Sequence, residues 1–507
     1  MPSRRLLLFA FLLFGLTACT RSLPGGYEPA ATGTVSLPAV TGAGAAATPS
    51  YRFPATRVPG APILTPTPDA FHFSPAAAAG PETYVVRAGD TLGEIASAYG
   101  MSVEMLMAAN SLTDPNVLNE GQTLVIPRPT PQASGSSFKI IPDSELVYGP
   151  MSAAFDVEAF VRTKGGYLSG YAQVVDGETL TGAQIVVRVA QNYSVNPRLL
   201  LALLDYRSGW VTNPNPAPET LTEPLGVDDG WHEGLYLQLT WAADALNRGY
   251  YLWRVDGITS WYLADGSAAP ADPMINAGTA GVQSVFAGLD DYPAWLRDVS
   301  VNGLFATYYA LFGYPFDLAV EPLVPADLVQ PAMQLPFESG VLWAFTGGPH
   351  GGWDDGSAWA AIDFAPAGTE GCVVSDAWVT AVADGLIVRS ANGAVVQDLD
   401  GDGFEQTGWT ALYMHVESRD RVSVGKYVRV GERIGHPSCE GGFADATHLH
   451  LARRLNGEWI PADGPVPFNL EGWISSGTGI AYDGYLTRGG QMVEAYNGTE
   501  AINRIQR

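Results

Sequence analysis

The spacing of hydrophobic residues changes several times along the chain. Between residues 82 and 128, two short apolar runs enclose two segments of helical spacing, which predicts a strand–helix–helix–strand unit. Short Val- and Ile-rich runs alternate with Gly turns after residue 336, as is typical of antiparallel sheets. Between these regions apolar positions recur at intervals of three and four, so we expect helices at residues 184–193, 199–206, 241–246 and 299–311. The pattern as a whole predicts a multidomain α+β protein.

Two segments lack this periodicity and are predicted to be linkers. Residues 20–81 are rich in Ala, Pro, Thr and Gly, which favours a flexible tether, and residues 129–139 form a second, shorter linker. The remaining boundaries follow from the change in pattern: a βααβ module at 82–128, a mostly helical domain at 140–335, an antiparallel β domain at 336–466 and a β extension at 467–507.

Residues 1–19 have the features of an export signal. Arg4 and Arg5 precede an apolar run over residues 6–16, which is too short to span a membrane. Residues 16–19, Leu-Thr-Ala-Cys, resemble a bacterial lipobox, and this implies that Cys19 is acylated after export and anchors the protein. The alternative is an ordinary cleaved signal with an incidental cysteine. We expect a lipoprotein of the cell envelope, held outside the cytoplasm at the membrane by its N-terminal lipid.

The net charge of the chain limits the kinds of molecule that we expect it to bind. The chain has 27 basic and 52 acidic side chains, for a net charge of −25, and no basic stripe stands out. This excludes nucleic acid as an expected partner, because nucleic-acid binding depends on clustered cations.

The βααβ unit carries a recognisable motif. YVVRAGDTLGEIASAYG, LMAANSL and LNEGQTLVIP together resemble a LysM module over its whole length. The resemblance implies binding to N-acetylglucosamine-containing glycans such as peptidoglycan. It assigns binding to the loop after the first strand and to the loop after the second helix, which here contain Gly89, Asp90, Thr91, Leu92 and Asn110. The alternative for Gly89 and Asp90 is that they only form the turn and the helix cap.

The helical domain resembles a lysozyme-like transglycosylase at NPRLLLALLDYRSGW and GLYLQLT. That fold places a catalytic Glu directly before Ser-Gly, but here Arg207 occupies the position. An arginine cannot protonate a leaving oxygen, and Asp205, two residues away on the helix, is expected on a different face. We therefore predict an inactive lysozyme-like domain that either holds glycan or serves as a helical spacer.

A metal site is predicted in the β domain. His448 and His450 are two residues apart, so on a strand they face the same side. Asp363 lies within the apolar run Ala-Ile-Asp-Phe, where an unpaired carboxylate would be costly. His350 lies in the glycine-rich segment GGPHGG, which we expect to be a mobile loop. Two His, one Asp and an open fourth position make a plausible catalytic zinc set.

Residues 341–461 resemble the peptidoglycan-cleaving zinc metallopeptidases of the lysostaphin and beta-lytic family. The matching segments are PHGGWDDGSAWAAIDFAP, LYMHVES, VRVGERIG and THLHLARR. The resemblance implies that zinc is bound by His350, Asp363 and His450. It also implies that His415 and His448 act on the water and on the oxyanion.

One feature departs from the lysostaphin pattern, in which the first ligand lies four residues before the Asp. Trp359 occupies that position here, and Ala361 replaces a Gly. His350, thirteen residues before Asp363, fits the longer gap of the beta-lytic branch instead. His436 is a lower-ranked substitute, because it lies between Gly435 and Pro437 in a predicted turn. The rival hypothesis is a degenerate domain without metal.

Two further features concern cysteine and calcium. Apart from Cys19 the chain has only Cys372 and Cys439, and an even count in an exported protein favours a disulfide over two buried thiols.

Asp398, Asp400 and Asp402 resemble the first half of a calcium loop. Position twelve is Trp409, so Glu405 would have to complete the site. The alternative is an acidic hairpin turn without metal.

Together these patterns predict a zinc-dependent endopeptidase that hydrolyses peptide bonds of peptidoglycan and is held to the glycan by its LysM module. The alternative is a catalytically inactive lipoprotein that binds peptidoglycan or activates another hydrolase. The predicted cofactor is Zn²⁺, with Ca²⁺ as a second candidate.

Overall fold

The computed structural model describes residues 82–87, 90–99, 101, 103–114, 118–127 and 135–507. The predicted signal segment with Cys19, the tether, Gly89 and most of the second linker lie outside the described residues.

The first unit has the predicted βααβ order. Its elements are β1 (Glu82–Val85), α1 (Leu92–Ala98), α2 (Val103–Asn110) and β2 (Thr123–Ile126). The two strands pair antiparallel, and one face of each helix packs against them. The core contains Val86, Leu92, Ile95, Leu106, Leu124 and Ile126.

A helical unit follows over residues 140–324. Local capping sets its helix starts: Thr181 and Gln184 form a capping box, and Asn196 caps a helix whose first residue is Pro197, as predicted. Its elements are α3 (Val157–Lys164), β3 (Ala172–Val175), β4 (Glu178–Thr181), α4 (Gly182–Tyr193), α5 (Pro197–Ser208), α6 (Leu235–Arg254), β5 (Ser260–Tyr262), β6 (Ala268–Pro270), α7 (Ala277–Leu289), α8 (Tyr292–Asp298) and α9 (Leu304–Phe312).

The helix predicted at residues 299–311 is confirmed only from Leu304, where α9 begins. Residues 299–303 form the break between α8 and α9. Gly303 lies so close to the Asp298 carbonyl that a Cβ there would collide with it. The turn at this glycine redirects the chain, although the apolar spacing continues across it.

The remaining chain forms antiparallel strands. The large sheet has the order β13-β10-β11-β12-β15-β8-β7-β21, with β16 paired to β15, and β17 to β20 form a separate four-stranded sheet. The strands are β7 (Leu342–His350), β8 (Ala361–Pro366), β9 (Val379–Thr380), β10 (Gly385–Ala391), β11 (Ala394–Asp398), β12 (Trp409–Met414), β13 (Tyr427–Val428), β14 (Arg433–Gly435), β15 (Leu449–Leu455), β16 (Glu458–Trp459), β17 (Asn469–Leu470), β18 (Trp473–Gly477), β19 (Gly484–Arg488), β20 (Gln491–Glu494) and β21 (Arg504–Gln506).

The two faces of the large sheet are buried in different cores, because side chains alternate along each strand. One face, including Ile362, Tyr413 and Leu451, packs among strands and loops that all lie after residue 332. The other face packs into the core of the helical unit through Ala361, Leu412 and Ala452. Asp363 and His450 lie two positions from Ala361 and Ala452, so they point to this second face, which we name the ligand face.

Residues 467–507 are integrated into this architecture. β21 pairs with β7 at the edge of the large sheet, and Ile505 shares a core with Trp343. Among the described residues, no helix combines the length and apolar character required to cross a bilayer.

Candidate metal centre and active site

Neighbouring strands bring two of the predicted ligands together. Asp363 on β8 and His450 on β15 are register partners in the antiparallel pair, and both are on the ligand face. Their separation of 87 residues along the chain is closed by sheet pairing alone.

The third predicted ligand, His350, is the last residue of β7 and not part of a mobile loop, which corrects the prediction of its place. Two irregularities in the β7–β8 register, on either side of Gly347, bring His350 opposite Ala361. The glycines also have a different role from the backbone freedom that was expected. A Cβ on Gly347 would lie 2.6 Å from Asp363 Oδ2, and one on Gly348 would lie 2.5 Å from the backbone of Asp483.

The side chains of His350, Asp363 and His450 converge on one point, with one ligand atom from each lying within 4.8 Å of the other two. His350 Nε2 is 3.0 Å from His450 Nδ1. Asp363 Oδ1 lies 3.3 Å from the first of these nitrogens and 3.4 Å from the second. Asp363 Oδ1 is buried and has no hydrogen-bond partner among the described residues.

Backbone carbonyls determine which imidazole nitrogens face this point. His350 Nδ1 lies 2.8 Å from the Gly348 carbonyl, and His450 Nε2 lies 3.1 Å from the Gly352 carbonyl. A carbonyl oxygen only accepts, so these two nitrogens carry the protons. The opposite nitrogens then direct lone pairs at each other and at a carboxylate. A divalent cation fits this donor set, and zinc prefers nitrogen and oxygen ligands of this kind.

The electrostatics of the three groups are consistent with a charged cluster. Burial raises the pKa of Asp363, but the adjacent His350 and His450 outweigh burial and hold that pKa well below its usual value. Burial lowers the pKa of His350, yet Asp363 reverses this effect and the pKa is raised overall. The pKa of His450 is lowered, mainly by burial.

His415 and His448, the predicted catalytic residues, lie beside the three predicted ligands. Their ring centroids are 4.4 Å apart, and the His415 ring is 6.3 Å from that of His450. His415 Nδ1 donates to the Glu440 carbonyl and His448 Nδ1 to the Ala446 carbonyl, so Nε2 is left as the reactive nitrogen of each ring. Burial and the neighbouring histidines lower the pKa of His415 to about 3.

Tyr482 is a site residue that the sequence analysis missed. Its ring stacks on His350 with a centroid distance of 4.2 Å, and its backbone carbonyl accepts from Gly348 N at 2.6 Å. Tyr482 is 54% exposed, so solvent reaches it beside the predicted ligand His350. No motif marked it, because it lies in a turn of the β extension, where only Asp483-Gly484 signals structure.

The structure joins Cys372 and Cys439 by a disulfide bond. This bond anchors the segment 439–447, whose two ends lie next to the catalytic candidates. At one end the Glu440 carbonyl accepts from His415. At the other end Thr447, which precedes His448, exchanges hydrogen bonds with the backbone of Val373. Phe443, at the tip of the same segment, is 93% exposed.

The substitute ligand His436 and Trp359, which occupies the lysostaphin-type ligand position, both lie elsewhere. His436 donates to the Ala377 carbonyl, and its ring lies 3.9 Å from that of Trp378. Trp359 is half-buried just before β8, where its carbonyl accepts from Ala462. Neither belongs to the cluster of three ligands.

The acidic hairpin is only partly as predicted. Oxygens of Asp398, Asp400 and Asp402 lie within 4.8 Å of one another, and burial together with Asp400 raises the pKa of Asp398 to about 7. The Asp398 carboxylate already accepts from backbone amides of the same turn. The prediction that Glu405 completes the calcium site is corrected. Its carboxylate pairs with Arg389 at 3.3 Å and with Arg454 at 2.7 Å. A buried carboxylate is costly unless a cation pairs with it.

Several predicted glycan-binding residues of the βααβ module have structural contacts. Asn110 exchanges hydrogen bonds with the backbone of Val125 and donates to the Leu106 carbonyl. Asp90 accepts from Tyr84 Oη and Arg87 N, and the Leu92 side chain is buried in the core. Thr91 precedes α1 and is exposed. Glycan contacts of Leu92 are therefore limited to its backbone.

Arg207 in the helical unit is held in an ion-pair network. Its guanidinium lies 3.0 Å from Asp290 and 3.6 Å from Asp298. Asp205 accepts from Thr212 and is thus engaged at the end of α5. The position at which a lysozyme-like fold needs its acid is occupied by a paired cation.

Two family models match parts of the chain. The model described as "LysM domain" matches residues 84–127, and the model described as "LasA, N-terminal domain" matches residues 139–324. The second match relates the helical unit to the N-terminal domain of LasA, whereas the sequence analysis predicted a lysozyme-like domain.

Among curated proteins, the chain is similar to Protease LasA of Pseudomonas aeruginosa, at 25% identity over 356 residues that span 64% of this chain and 75% of that protein. A 51-residue segment is 45% identical to N-acetylmuramoyl-L-alanine amidase XlyA of Bacillus subtilis, covering 10% of this chain and 17% of the amidase. Among solved structures, the M23 metalloprotease pseudoalterin from the deep sea is 22% identical, with 36% of this chain and 100% of that chain covered and a TM-score of 0.29. The family-model match confirms the LysM module, and the similarity to Protease LasA agrees with the resemblance to a peptidase.

Proposed function

We propose that this protein is a zinc metalloendopeptidase that hydrolyses peptide bonds of peptidoglycan. The observation that carries the proposal is the convergence of His350, Asp363 and His450 on one point, with His415 and His448 beside it. The similarity to Protease LasA supports a peptidase.

The chemistry follows from this donor set. When bound, zinc lowers the pKa of a coordinated water to about 7 and polarises the scissile carbonyl. His350, Asp363 and His450 would hold the ion, and the Gly348 and Gly352 carbonyls keep both imidazoles in the correct tautomer.

Proton transfer falls to the second pair of histidines. His415 and His448 each have Nδ1 bonded to a carbonyl, so each offers Nε2 to the substrate. One Nε2 accepts a proton from the attacking water and returns it to the leaving amine, while the other ring, when it carries a proton on both nitrogens, donates its Nε2–H to the developing oxyanion. The stacked Tyr482 ring fixes His350 and borders the peptide-binding cleft.

The other segments direct this activity to the cell wall. The LysM match supports retention on peptidoglycan glycan, and the amidase relative shares a 51-residue segment. We also propose that the protein is exported and lipidated at Cys19, which would make it an envelope lipoprotein.

In a detergent phase-partition assay, Cys19→Ala should leave the protein in the aqueous phase, and unchanged partitioning would contradict lipidation.

The decisive experiment combines metal analysis with product analysis. The purified protein should contain about one zinc per chain and should release new amino termini from peptidoglycan, as identified by mass spectrometry. A chelator should abolish this release, and added zinc should restore it. A protein that retains no zinc and releases no peptide fragments would contradict the proposed function.

A further inference from the structure

The segment between two metal ligands is held by the helical unit. Residues 351–360, which we name the ligand loop, connect His350 at the end of β7 to the start of β8, two residues before Asp363. Because β7 and β8 pair directly, the loop closes on itself at the edge of the site. Its position is determined partly by residues more than 100 positions earlier in the chain.

Two side chains of the helical unit reach this loop. Tyr193 at the end of α4 donates its hydroxyl to Asp354 Oδ2 at 2.8 Å, and its ring lies 6.4 Å from that of Trp353. Asp244 on α6 accepts from Gly356 N at 2.6 Å. Asp354 itself has a φ of +57°, so the Tyr193 hydrogen bond stabilises a backbone conformation that L residues rarely adopt.

The loop in turn contacts a ligand. His450 Nε2 donates to the Gly352 carbonyl, and Gly352 N donates to the Ala358 carbonyl inside the loop. Gly352 also lies against Trp459, where a Cβ would approach the indole to 2.6 Å. Trp459 Nε1 donates to the Tyr193 carbonyl at 3.2 Å. Tyr193 therefore contacts both structures that enclose Gly352.

We propose that Tyr193 and Asp244 are positioning residues of the metal site, so that the helical unit is a working part of the peptidase. This inference rests on the proposed function. The two residues fix the ligand loop, the loop fixes the Gly352 carbonyl, and that carbonyl holds the His450 imidazole with Nδ1 toward the metal. Loss of a direct partner of a ligating histidine, which here is the Gly352 carbonyl, changes metal affinity about 10- to 100-fold.

The test compares variants of the full-length protein. Tyr193→Phe keeps the buried ring and removes only the hydroxyl, and Asp244→Ala removes the acceptor for Gly356. Asp244→Asn keeps an oxygen acceptor and should restore most of the loss. Tyr206→Phe is the matched control, since its hydroxyl bonds to Asp298 inside the helical unit.

Zinc affinity is measured by chelator competition, and the ligand loop is followed in metal-free protein by amide hydrogen exchange. Tyr193→Phe and Asp244→Ala should bind zinc about 10-fold more weakly and should exchange faster at Gly352 and Gly356. The Tyr206→Phe control should match the parent in both measurements.

Equal zinc affinity in Tyr193→Phe, Asp244→Ala and the parent would overturn the inference. Faster peptide release by Tyr193→Phe would also overturn it, because the helical unit would then restrain the site. If the parent binds no zinc, the proposed function fails instead. The exchange of Gly352 and Gly356 in the metal-free variants still tests the mechanical link in that case.

Discussion

At the scale of single residues, the centre depends on two imidazoles that present unprotonated nitrogens to each other 3.0 Å apart. Such a contact is repulsive unless a cation or a proton lies between the rings. His350→Ala should therefore lose both zinc and turnover, since two remaining ligands rarely hold catalytic zinc. His448→Ala should keep its zinc and lose turnover by about 10²- to 10⁴-fold, the range for general acid–base groups. Metal content and peptide release measured on the same samples check both outcomes.

His436→Ala is the control for this pair of variants. His436 is buried and bonded to a backbone carbonyl away from the cluster, so its loss should leave zinc stoichiometry unchanged. Zinc binding by His350→Ala as tight as that of the parent would mean that the ligand set is different from the one described.

Gly347 provides a test that removes no ligand. A Cβ at this position would lie 2.6 Å from Asp363 Oδ2, so Gly347→Ala must displace the carboxylate. We expect zinc affinity to fall about 10-fold or more, as for other changes that misorient a ligand. Gly170→Ala is the matched control, because nothing lies within 4 Å of its added Cβ. Equal affinities of the two variants in chelator competition would contradict this role of Gly347.

The residues of the site were predictable to different degrees. His448, His450 and Asp363 could be found because the spacing of two and the carboxylate in an apolar run have direct chemical meaning. His350 followed from the family resemblance, but its place on a strand did not, because the β7–β8 irregularities depend on Gly347 meeting Asp363. Tyr482 left no signal, since only folding brings the C-terminal turn onto His350.

At the scale of elements, the disulfide and the segment that it anchors shape the catalytic side of the cleft. The bond between Cys372 and Cys439 closes a loop of 67 residues, for which chain entropy predicts a stabilisation of about 4 kcal/mol. The double variant Cys372→Ser, Cys439→Ser should lower the free energy of unfolding by up to that amount in urea titrations. Turnover should also fall, because Glu440 and Thr447 would no longer be anchored around His415 and His448.

The reduced parent is the control for the disulfide variant, since it lacks the same bond without a change in sequence. Parent, reduced parent and double variant with identical unfolding midpoints would contradict a stabilising role. The sequence analysis predicted this pair from the cysteine count. It could not predict that the bond lies beside the catalytic histidines, because their proximity arises from sheet topology.

The ends of the helices were also predictable only where local sequence determines them. Capping residues marked the start of α5 correctly at Asn196-Pro197. The predicted helix at 241–246 is in fact the centre of α6, which runs over Leu235–Arg254, since burial against neighbouring helices extends it beyond its most periodic segment. The helix predicted from residue 299 begins only at Leu304, because apolar spacing does not register the close backbone approach at Gly303.

At the scale of the whole molecule, the helical unit and the large sheet share one core on the ligand face. Charged side chains are buried where they meet. Glu405 lies between Arg389 and Arg454, and these two arginines also bond to Gln191 and Asn192 at the end of α4. The sequence analysis assigned Glu405 to a calcium loop, because local spacing carries no information on partners contributed by strands 16 and 49 residues away.

Glu405 therefore offers a test of how much this buried ion-pair cluster contributes to stability. Glu405→Gln leaves two buried guanidinium groups without their carboxylate, and breaking a buried pair in this way costs about 3–5 kcal/mol. Glu178→Gln is the matched control: it breaks the Arg188 pair, in which the Glu178 carboxylate is exposed, and should cost at most about 1 kcal/mol. Urea unfolding at neutral pH measures both.

The pH dependence of this loss has a defined sign. Burial raises the pKa of Glu405, but Arg389 and Arg454 outweigh it and the pKa is lowered overall. A carboxyl whose folded-state pKa is depressed stabilises the protein above its unfolded pKa, near 4.3, and loses that contribution as the pH falls through the folded-state value. The difference in unfolding free energy between the parent and Glu405→Gln should therefore be full at pH 7 and should shrink below about pH 4. A difference that stays constant down to pH 2, or that never exceeds the difference for Glu178→Gln, would show that the buried Glu405 ion pairs do not stabilise the folded protein.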